Sequence, residues 1–226
     1  MVEEGDAAAL GSESRLTSFH LEVLPEAERQ ALAALAPVAT RSGFYLAGGT
    51  AVALHLGHRQ SFDFDFFTAD QIDDPLALAE RFRSQGLSLE TQQVAPGTLH
   101  ANLNGVRISF LSYGYPLLSA TLTWSEFSCE LASLDDLACM KLAAVAQRGA
   151  RKDFLDVFAI GNSGLSLSRM LDLYQKKYGI RDVGHVLAGL CYFDDAERDP
   201  MPIALKPVDW AELKATLRAW VTAAAR

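Results

Sequence analysis

Apolar residues recur at helical spacing through Pro25–Val38 (PEAERQALAALAPV), a run of good helix formers that Pro25 can open as a first-turn residue. An unbroken apolar run at Phe44–Ala47 predicts a short buried strand, and Thr50–His58 a short helix launched by two glycines. Ser61–Phe67 reads as a second strand. Asp74 is placed to cap a helix over Pro75–Gln85, with Gly86 just past its end. Leu87–Val94 and Thr98–Asn102 alternate as strands do, and Asn104-Gly105 supplies a two-residue hairpin turn into Val106–Tyr113. Beyond Tyr115-Pro116 the pattern changes. After a short strand around Phe127–Leu131, Ser133-Leu134-Asp135-Asp136 opens a helix that stops near Gly149. Helical stretches follow at ARKDFLDVFAIG, Leu167–Tyr178, Val183–Tyr192 and Asp209–Ala223.

The pattern predicts an α+β fold of α/β-like character: a small mixed sheet with helices, then a helical bundle. Residues 1–14 read as a flexible tail, 15–131 as the sheet-bearing core and 132–226 as the helical domain. No internal repeat or low-complexity tract interrupts this order.

Composition adds bounds. With 50% hydrophobic and 9% aromatic residues, 226 residues can bury a proper core. Cys129, Cys139 and Cys191 are scattered and odd in number, so they point to buried thiols in a reducing compartment, not to a zinc site or disulfide framework. The acidic start, MVEEGDAAALGSES, lacks the apolar core of a secretory signal. No run approaches the ~18 apolar residues of a membrane span, and a soluble, cytoplasmic protein without membrane contact is expected. A net charge of −8 disfavours general nucleic-acid binding. The charge is uneven, however: Ala138–Asp182 carries eight Lys or Arg against four Asp. Such a segment either serves phosphates or is a solvated helix face.

The candidate chemistry lies in FYLAGGTAVALHLGHRQSFDFDFF, Phe44–Phe67. Asp63 and Asp65 are one residue apart on a predicted strand, so both carboxylates leave the same face. Adjacent carboxylates repel and are costly to bury unless a cation lies between them. A divalent metal with phosphate substrates is a common such arrangement. The flanking Phe62, Phe64, Phe66 and Phe67 argue against a solvated edge strand. Gly48 and Gly49 let a phosphate approach the main chain, and the start of a helix offers free N–H groups to it. Thr50 adds a hydroxyl for the same phosphates; an ordinary capped strand-to-helix turn is the plainer alternative. Together these residues read as a site for metal and nucleoside triphosphate.

Arg59 can neutralise phosphate charge, pair with the aspartates or form a surface salt bridge. Lys141 sits on an otherwise apolar helix, which calls for a triphosphate or an aspartate as partner, or for snorkelling at a helix edge. Arg148, seven residues on, shares nearly the same face. Asp153 and Asp156 share a face of the next helix, and Asp153 can also serve that helix start through the dipole. His55 and His58 have no evident third ligand and are assigned to helix surface or core.

The order Gly-Gly-Thr, twelve residues, then Asp-Phe-Asp resembles the signature of the polymerase-β-like nucleotidyltransferases. Lys141 in DLACMKLAAVAQRG and Asp153/Asp156 in RKDFLDVF resemble the K…R…(R/K)D-x-x-D pattern of the AbiEii-type branch, toxins of bacterial toxin–antitoxin and phage-defence systems. The resemblance covers Phe44 to Lys177. It implies transfer of a nucleoside monophosphate from an NTP to a hydroxyl, dependent on Mg²⁺ (or Mn²⁺). The implied acceptor is an RNA, such as a tRNA 3′ end, or a protein side chain, held against the basic helices between Lys141 and Arg181; an antitoxin is the implied partner. It assigns catalysis to Asp63, Asp65, Lys141, Asp153 and Asp156, nucleotide binding to Gly48, Gly49, Thr50, Arg59, Lys141 and Arg148, and metal to Asp63 and Asp65. One departure is visible. Many such enzymes carry a third carboxylate on a later strand, where VRISFLSY offers Ser109. Either Asp153 or Asp156 substitutes, or the protein is an inactive nucleotide-binding or regulatory relative. A bare interaction protein retaining the fold is a third reading.

Overall fold

The computed structural model describes residues 18–225, so the predicted tail over 1–14 lies outside the described residues. The chain opens with α1 (Glu26–Arg41), then β1 (Tyr45–Ala47), α2 (Gly48–Leu56), β2 (Asp63–Thr68) and α3 (Pro75–Ser84). β3 (Leu89–Ala95), β4 (Thr98–Leu103), β5 (Val106–Ser112), β6 (Leu122–Trp124) and β7 (Cys129–Leu131) follow. The rest is helical: α4 (Leu134–Gln147), α5 (Arg151–Asn162), α6 (Leu167–Tyr178), α7 (Gly184–Cys191) and α8 (Trp210–Ala224).

The strands form one mixed seven-stranded sheet in the order β3-β4-β5-β2-β1-β7-β6. β2 runs parallel to β5 and β1 parallel to β7, while the other neighbours are antiparallel. Local chemistry fixes much of this. Asp74 accepts the Leu76 and Ala77 N–H groups at 3.0 Å each and starts α3. Asn104 and Gly105 both adopt positive φ (52° and 91°), the conformation a tight hairpin needs. That turn sets the β4–β5 register, pairing Asn102 with Arg107 and His100 with Ser109. Ser133 accepts the Asp136 N–H at 3.1 Å and starts α4.

Alternation on β2 sorts its side chains. Phe64 and Phe66 face the core, where Phe66 stacks on Phe110 of β5 and Phe110 in turn meets Phe44 and Phe82 of α3, with ring-centroid distances of 4.8–6.4 Å across the set. The opposite face carries Asp63, Asp65 and Phe67. The buried apolar side chains of sheet and helices form one continuous core, and α4 packs against α2, α5, α6 and α7.

Three elements differ from the sequence expectations. α1 continues through Pro37 to Arg41, because Leu35, Ala36, Val38 and Ala39 are buried there and their packing outweighs the missing N–H. α2 begins at Gly48, not Thr50. β6 has only three residues, too short for an alternation to be read, and exists by pairing with β7.

A buried ion pair ties the two halves together. The Lys177 ammonium donates to Asp136 (2.7 Å) and to the Pro116 carbonyl (2.8 Å). Asp136 also accepts the Leu118 and Ser119 N–H groups and the Ser133 hydroxyl. Both side chains are sealed from solvent, and with every polar atom partnered the pair is tolerable in the core. The expected basic surface is therefore smaller than its sequence: Lys141 and Lys177 are buried, while Lys152, Arg169, Lys176 and Arg181 remain exposed.

Candidate active site

The sheet's second face is the floor of a cleft of about 910 Å³, walled by the ends of α4 and α6. Strand register arranges the floor in rows. Asp63 stands beside Arg107, which pairs with Asn102. One row on, Asp65, Ser109, His100 and Gln93 lie side by side across β2, β5, β4 and β3. Phe67 and Leu111 make the next row, and Tyr113, Tyr115, Tyr174 and Tyr178 line the cleft with them. Within the floor, Arg107 grips Asp63 through two hydrogen bonds of 2.8 and 3.1 Å, and His100 Nδ1 lies 3.1 Å from Ser109 Oγ. Asp65 has no ion-pair partner among the described residues.

The glycine turn sits against Asp65 because β1 pairs antiparallel with β2, placing Ala47 opposite it. Gly48 has φ +65°, and a Cβ there would lie 2.6 Å from Asp65 Oδ2. A Cβ on Gly49 would collide with the Arg59 guanidinium and come within 3.5 Å of both Lys141 Nζ and Asp156 Oδ2. Only glycine fits at either position. Ala47, the residue before α2, offers no side-chain cap, so the helix begins with uncapped backbone at the cleft.

Behind the turn lies a cluster of buried charges. Asp156, fully buried, accepts from Arg59 (2.7 and 3.0 Å) and His58 (2.9 Å) and pairs with Lys141 at 2.7 Å. Lys141, 3% exposed, also donates to Asp153 at 2.9 Å. Arg148, the residue that ends α4, closes the chain with two hydrogen bonds to Asp153 of 2.7 and 3.0 Å. Burial is the largest influence on Asp156 and opposes its charge. Arg59, Lys141 and the hydrogen bonds nevertheless hold it well below the usual carboxylate range. Asp153 follows the same logic, with Lys141 and Arg148 overcoming burial. Burial disfavours the Lys141 ammonium, yet Asp156 and Asp153 raise it above its ordinary value. His58 is lowered, chiefly by burial, so its ring favours the neutral form.

The structure thus gathers Gly48, Gly49, Asp63, Asp65, Lys141 and Arg148 on the cleft lining. Three expected contacts are corrected. Thr50 is 2% exposed, its hydroxyl engaged with Ser61 Oγ (2.7 Å) and the Asp63 carbonyl; it latches α2 to β2 and is not free for a phosphate. Arg59 is 4% exposed and turned behind the glycines onto Asp156, so it is neither a surface salt bridge nor part of the lining. Asp156 is fully buried, with both oxygens taken by Arg59, Lys141 and His58, and it is not on the cleft lining.

Arg107, Lys152, His100 and His58 join the site without having been singled out for it. The first and third were readable: a two-residue turn at Asn104-Gly105 pairs His100 with Ser109, and alternation puts Arg107 on Ser109's face. His58 had no such signal, since its partner lies 98 residues away.

The sequence matches the family described as "Nucleotidyl transferase AbiEii toxin, Type IV TA system" over residues 30–223. It is 35% identical over 185 residues to an uncharacterised protein of Aquifex aeolicus (strain VF5), covering 78% of this chain and 86% of the relative. Among solved structures, the fold is similar to that of the nucleotidyltransferase toxin MenT4 from Mycobacterium tuberculosis H37Rv. There the TM-score is 0.56 at 18% identity, covering 85% of this chain and 82% of MenT4. The antibiotic-resistance factor ANT(2'')-Ia aligns with a TM-score of 0.52 at 12% identity, covering 69% of this chain and 94% of its own. At such identities the likeness to these two is one of fold.

Proposed function

The chain belongs to the AbiEii nucleotidyl transferase toxin family, and on that footing we propose that it moves a nucleoside monophosphate from an NTP onto an RNA hydroxyl, in a Mg²⁺-dependent reaction. The observation that carries this reading is the union of two half-sites on one cleft. Asp63 and Asp65 stand on its floor, and Gly48-Gly49 with the Lys141–Asp153–Arg148 chain stand at its side.

The donor set fits Mg²⁺ (or Mn²⁺) arriving with the nucleotide. Among the described residues no group of three or more His, Cys, Asp or Glu forms a self-sufficient metal cage. Two carboxylates on one strand face are what a magnesium ion shared with substrate phosphates takes from its protein. Asp63 and Asp65 would hold it, Asp63 exchanging its bond to Arg107 for the ion. Such an ion neutralises phosphate charge and the charge developing on the attacking and leaving oxygens.

The protein's own groups supply the rest. Backbone N–H groups at the start of α2 receive phosphate oxygens, which only glycine lets approach. Lys141 and Arg148 face those oxygens with their positions fixed by Asp153 and Asp156, so little reorganisation accompanies the reaction. Lys152 and Arg107 add exposed positive charge at the cleft, which favours a polyanionic acceptor such as a tRNA 3′ end. In a toxin–antitoxin setting the outcome is growth arrest that an antitoxin relieves.

The test is incubation with each α-labelled NTP, Mg²⁺ and total bacterial RNA, compared with Asp65→Asn. Label on RNA from the unaltered protein alone supports the reading. Label on protein instead reassigns the acceptor. Nucleotide binding without any labelled product under Mg²⁺ or Mn²⁺ refutes transfer.

A further inference from the structure

Moving a nucleotide onto a hydroxyl requires somewhere for the hydroxyl proton to go, and few groups in the cleft can receive it. Asp63 and Asp65 are committed to the cation in the reading above. Asp153 and Asp156 are fully buried, with their oxygens held by Lys141, Arg148, Arg59 and His58. Tyr113 and Tyr178 share a 2.6 Å hydrogen bond between hydroxyls, and burial pushes Tyr113 up to about 12 and Tyr178 higher still, so both keep their protons. Lys141, Arg148, Lys152 and Arg107 are cations.

His100 remains. It lies on the cleft lining, half-buried, in the same cross-sheet row as Asp65 and two strands away. Strand spacing puts the two backbones about 10 Å apart, with Ser109 between them. His100 has no carboxylate at ion-pair distance among the described residues, and its polar contact is Nδ1 to Ser109 Oγ at 3.1 Å. An imidazole with one nitrogen tied to a hydroxyl and the other unengaged is equipped to accept a proton.

We propose that His100 is the general base of this cleft and that Ser109 fixes its ring. The inference rests on the transfer reading above. Nδ1–H donates to Ser109 Oγ, which leaves the Nε2 lone pair as acceptor. As the acceptor oxygen bonds to the α-phosphorus, its proton passes to Nε2. The bond from the α-phosphorus to the bridging oxygen breaks, and pyrophosphate leaves with that electron pair. Ser109 thus stands next to Asp65 as the support of a base one strand farther out.

The experiment compares the unaltered protein with His100→Ala, His100→Gln, Ser109→Asp and the double variant His100→Ala/Ser109→Asp. All are assayed for label transfer from α-labelled NTP to total RNA and for the rise in melting temperature caused by NTP with Mg²⁺. General-base removal is expected to lower kcat about 10²–10⁴-fold, in both His100 variants, while the nucleotide-induced melting shift stays unchanged. Because Ser109 adjoins Asp65, an aspartate there offers an alternative acceptor, and the double variant should recover at least about tenfold of the lost rate. Transfer by His100→Gln at the unaltered rate overturns this inference and leaves the transfer reading standing. Loss of the nucleotide-induced shift in the His100 variants, or no recovery in the double variant, also overturns it. If the unaltered protein transfers nothing, both fall together.

Discussion

Replacing Asp156 by asparagine keeps the side chain's shape and removes its charge, which isolates what the buried carboxylate does. Asp156 holds Arg59 with two hydrogen bonds and pairs with Lys141 at 2.7 Å, and all three groups lie almost wholly out of solvent. Breaking a buried pair by deleting one partner costs about 3–5 kcal/mol, because an uncompensated charge is left behind. Lys141 keeps Asp153, but the hydrogen-bond partners left to Arg59 among the described residues are the Gln60 carbonyl and Ser61. The full range therefore applies, out of a total stability of about 5–15 kcal/mol. For a chain of this size that lowers the melting temperature by roughly 6–20 °C. Circular dichroism melts and urea titrations measure it. Asp65→Asn is the control: half-buried and without an ion-pair partner among the described residues, it should shift stability by less than about 1 kcal/mol while abolishing transfer. The paired change Arg59→Met with Asp156→Leu removes both ends and should recover at least half the loss. An Asp156→Asn protein within about 1 kcal/mol of the unaltered one would refute this account of the cluster.

Three other outcomes can be checked. Stability should fall in two stages on acidification. Burial keeps His55 and His58 below the ordinary imidazole value, so the unfolded chain takes protons the folded one refuses as pH drops below about 6.5. Asp153 and Asp156 are depressed, so their contribution is intact above about pH 4 and is lost below it; urea midpoints against pH would show two separate declines, and a flat curve between about pH 6.5 and 5 contradicts the first. Gly48→Ala forces a positive φ and a 2.6 Å approach to Asp65, costing about 1–3 kcal/mol and weakening nucleotide binding in calorimetry. Arg107→Ala removes a residue 70% exposed, so its pair with Asp63 is worth at most about 1 kcal/mol; melting should barely change, while Mg²⁺ or Mn²⁺ titrated with nucleotide should bind more tightly.

Elements whose boundaries are set by local chemistry were readable in advance: the Asp74 cap, the Asn104-Gly105 turn and the Ser133 start of α4. The two aspartates and two glycines were legible for the same reason, since strand alternation and a strand-to-helix turn are short-range rules. What stayed hidden depends on distant partners. Thr50 looks like a phosphate ligand until the fold brings the Asp63 carbonyl to it. Arg59 looks like a surface cation until Asp156, 97 residues on, arrives beneath the glycines. Hydrophobic periodicity places residues on faces; it does not say which buried charge meets which.

The charges behind the glycine turn do not cancel. Arg59, Lys141 and Arg148 set three positive charges against two negative ones on Asp153 and Asp156, with His58 favouring its neutral form. The surplus sits with Arg148, which lines the cleft with its side chain more than half exposed, while the charges paired behind it are buried. The chain therefore folds into an electrically unfinished state. An anion seated at the turn completes the balance, so whatever strengthens its hold also steadies the fold. Removing the exposed cation at Arg148 should therefore weaken the binding of a phosphate anion, while Asp153 keeps Lys141 as its partner.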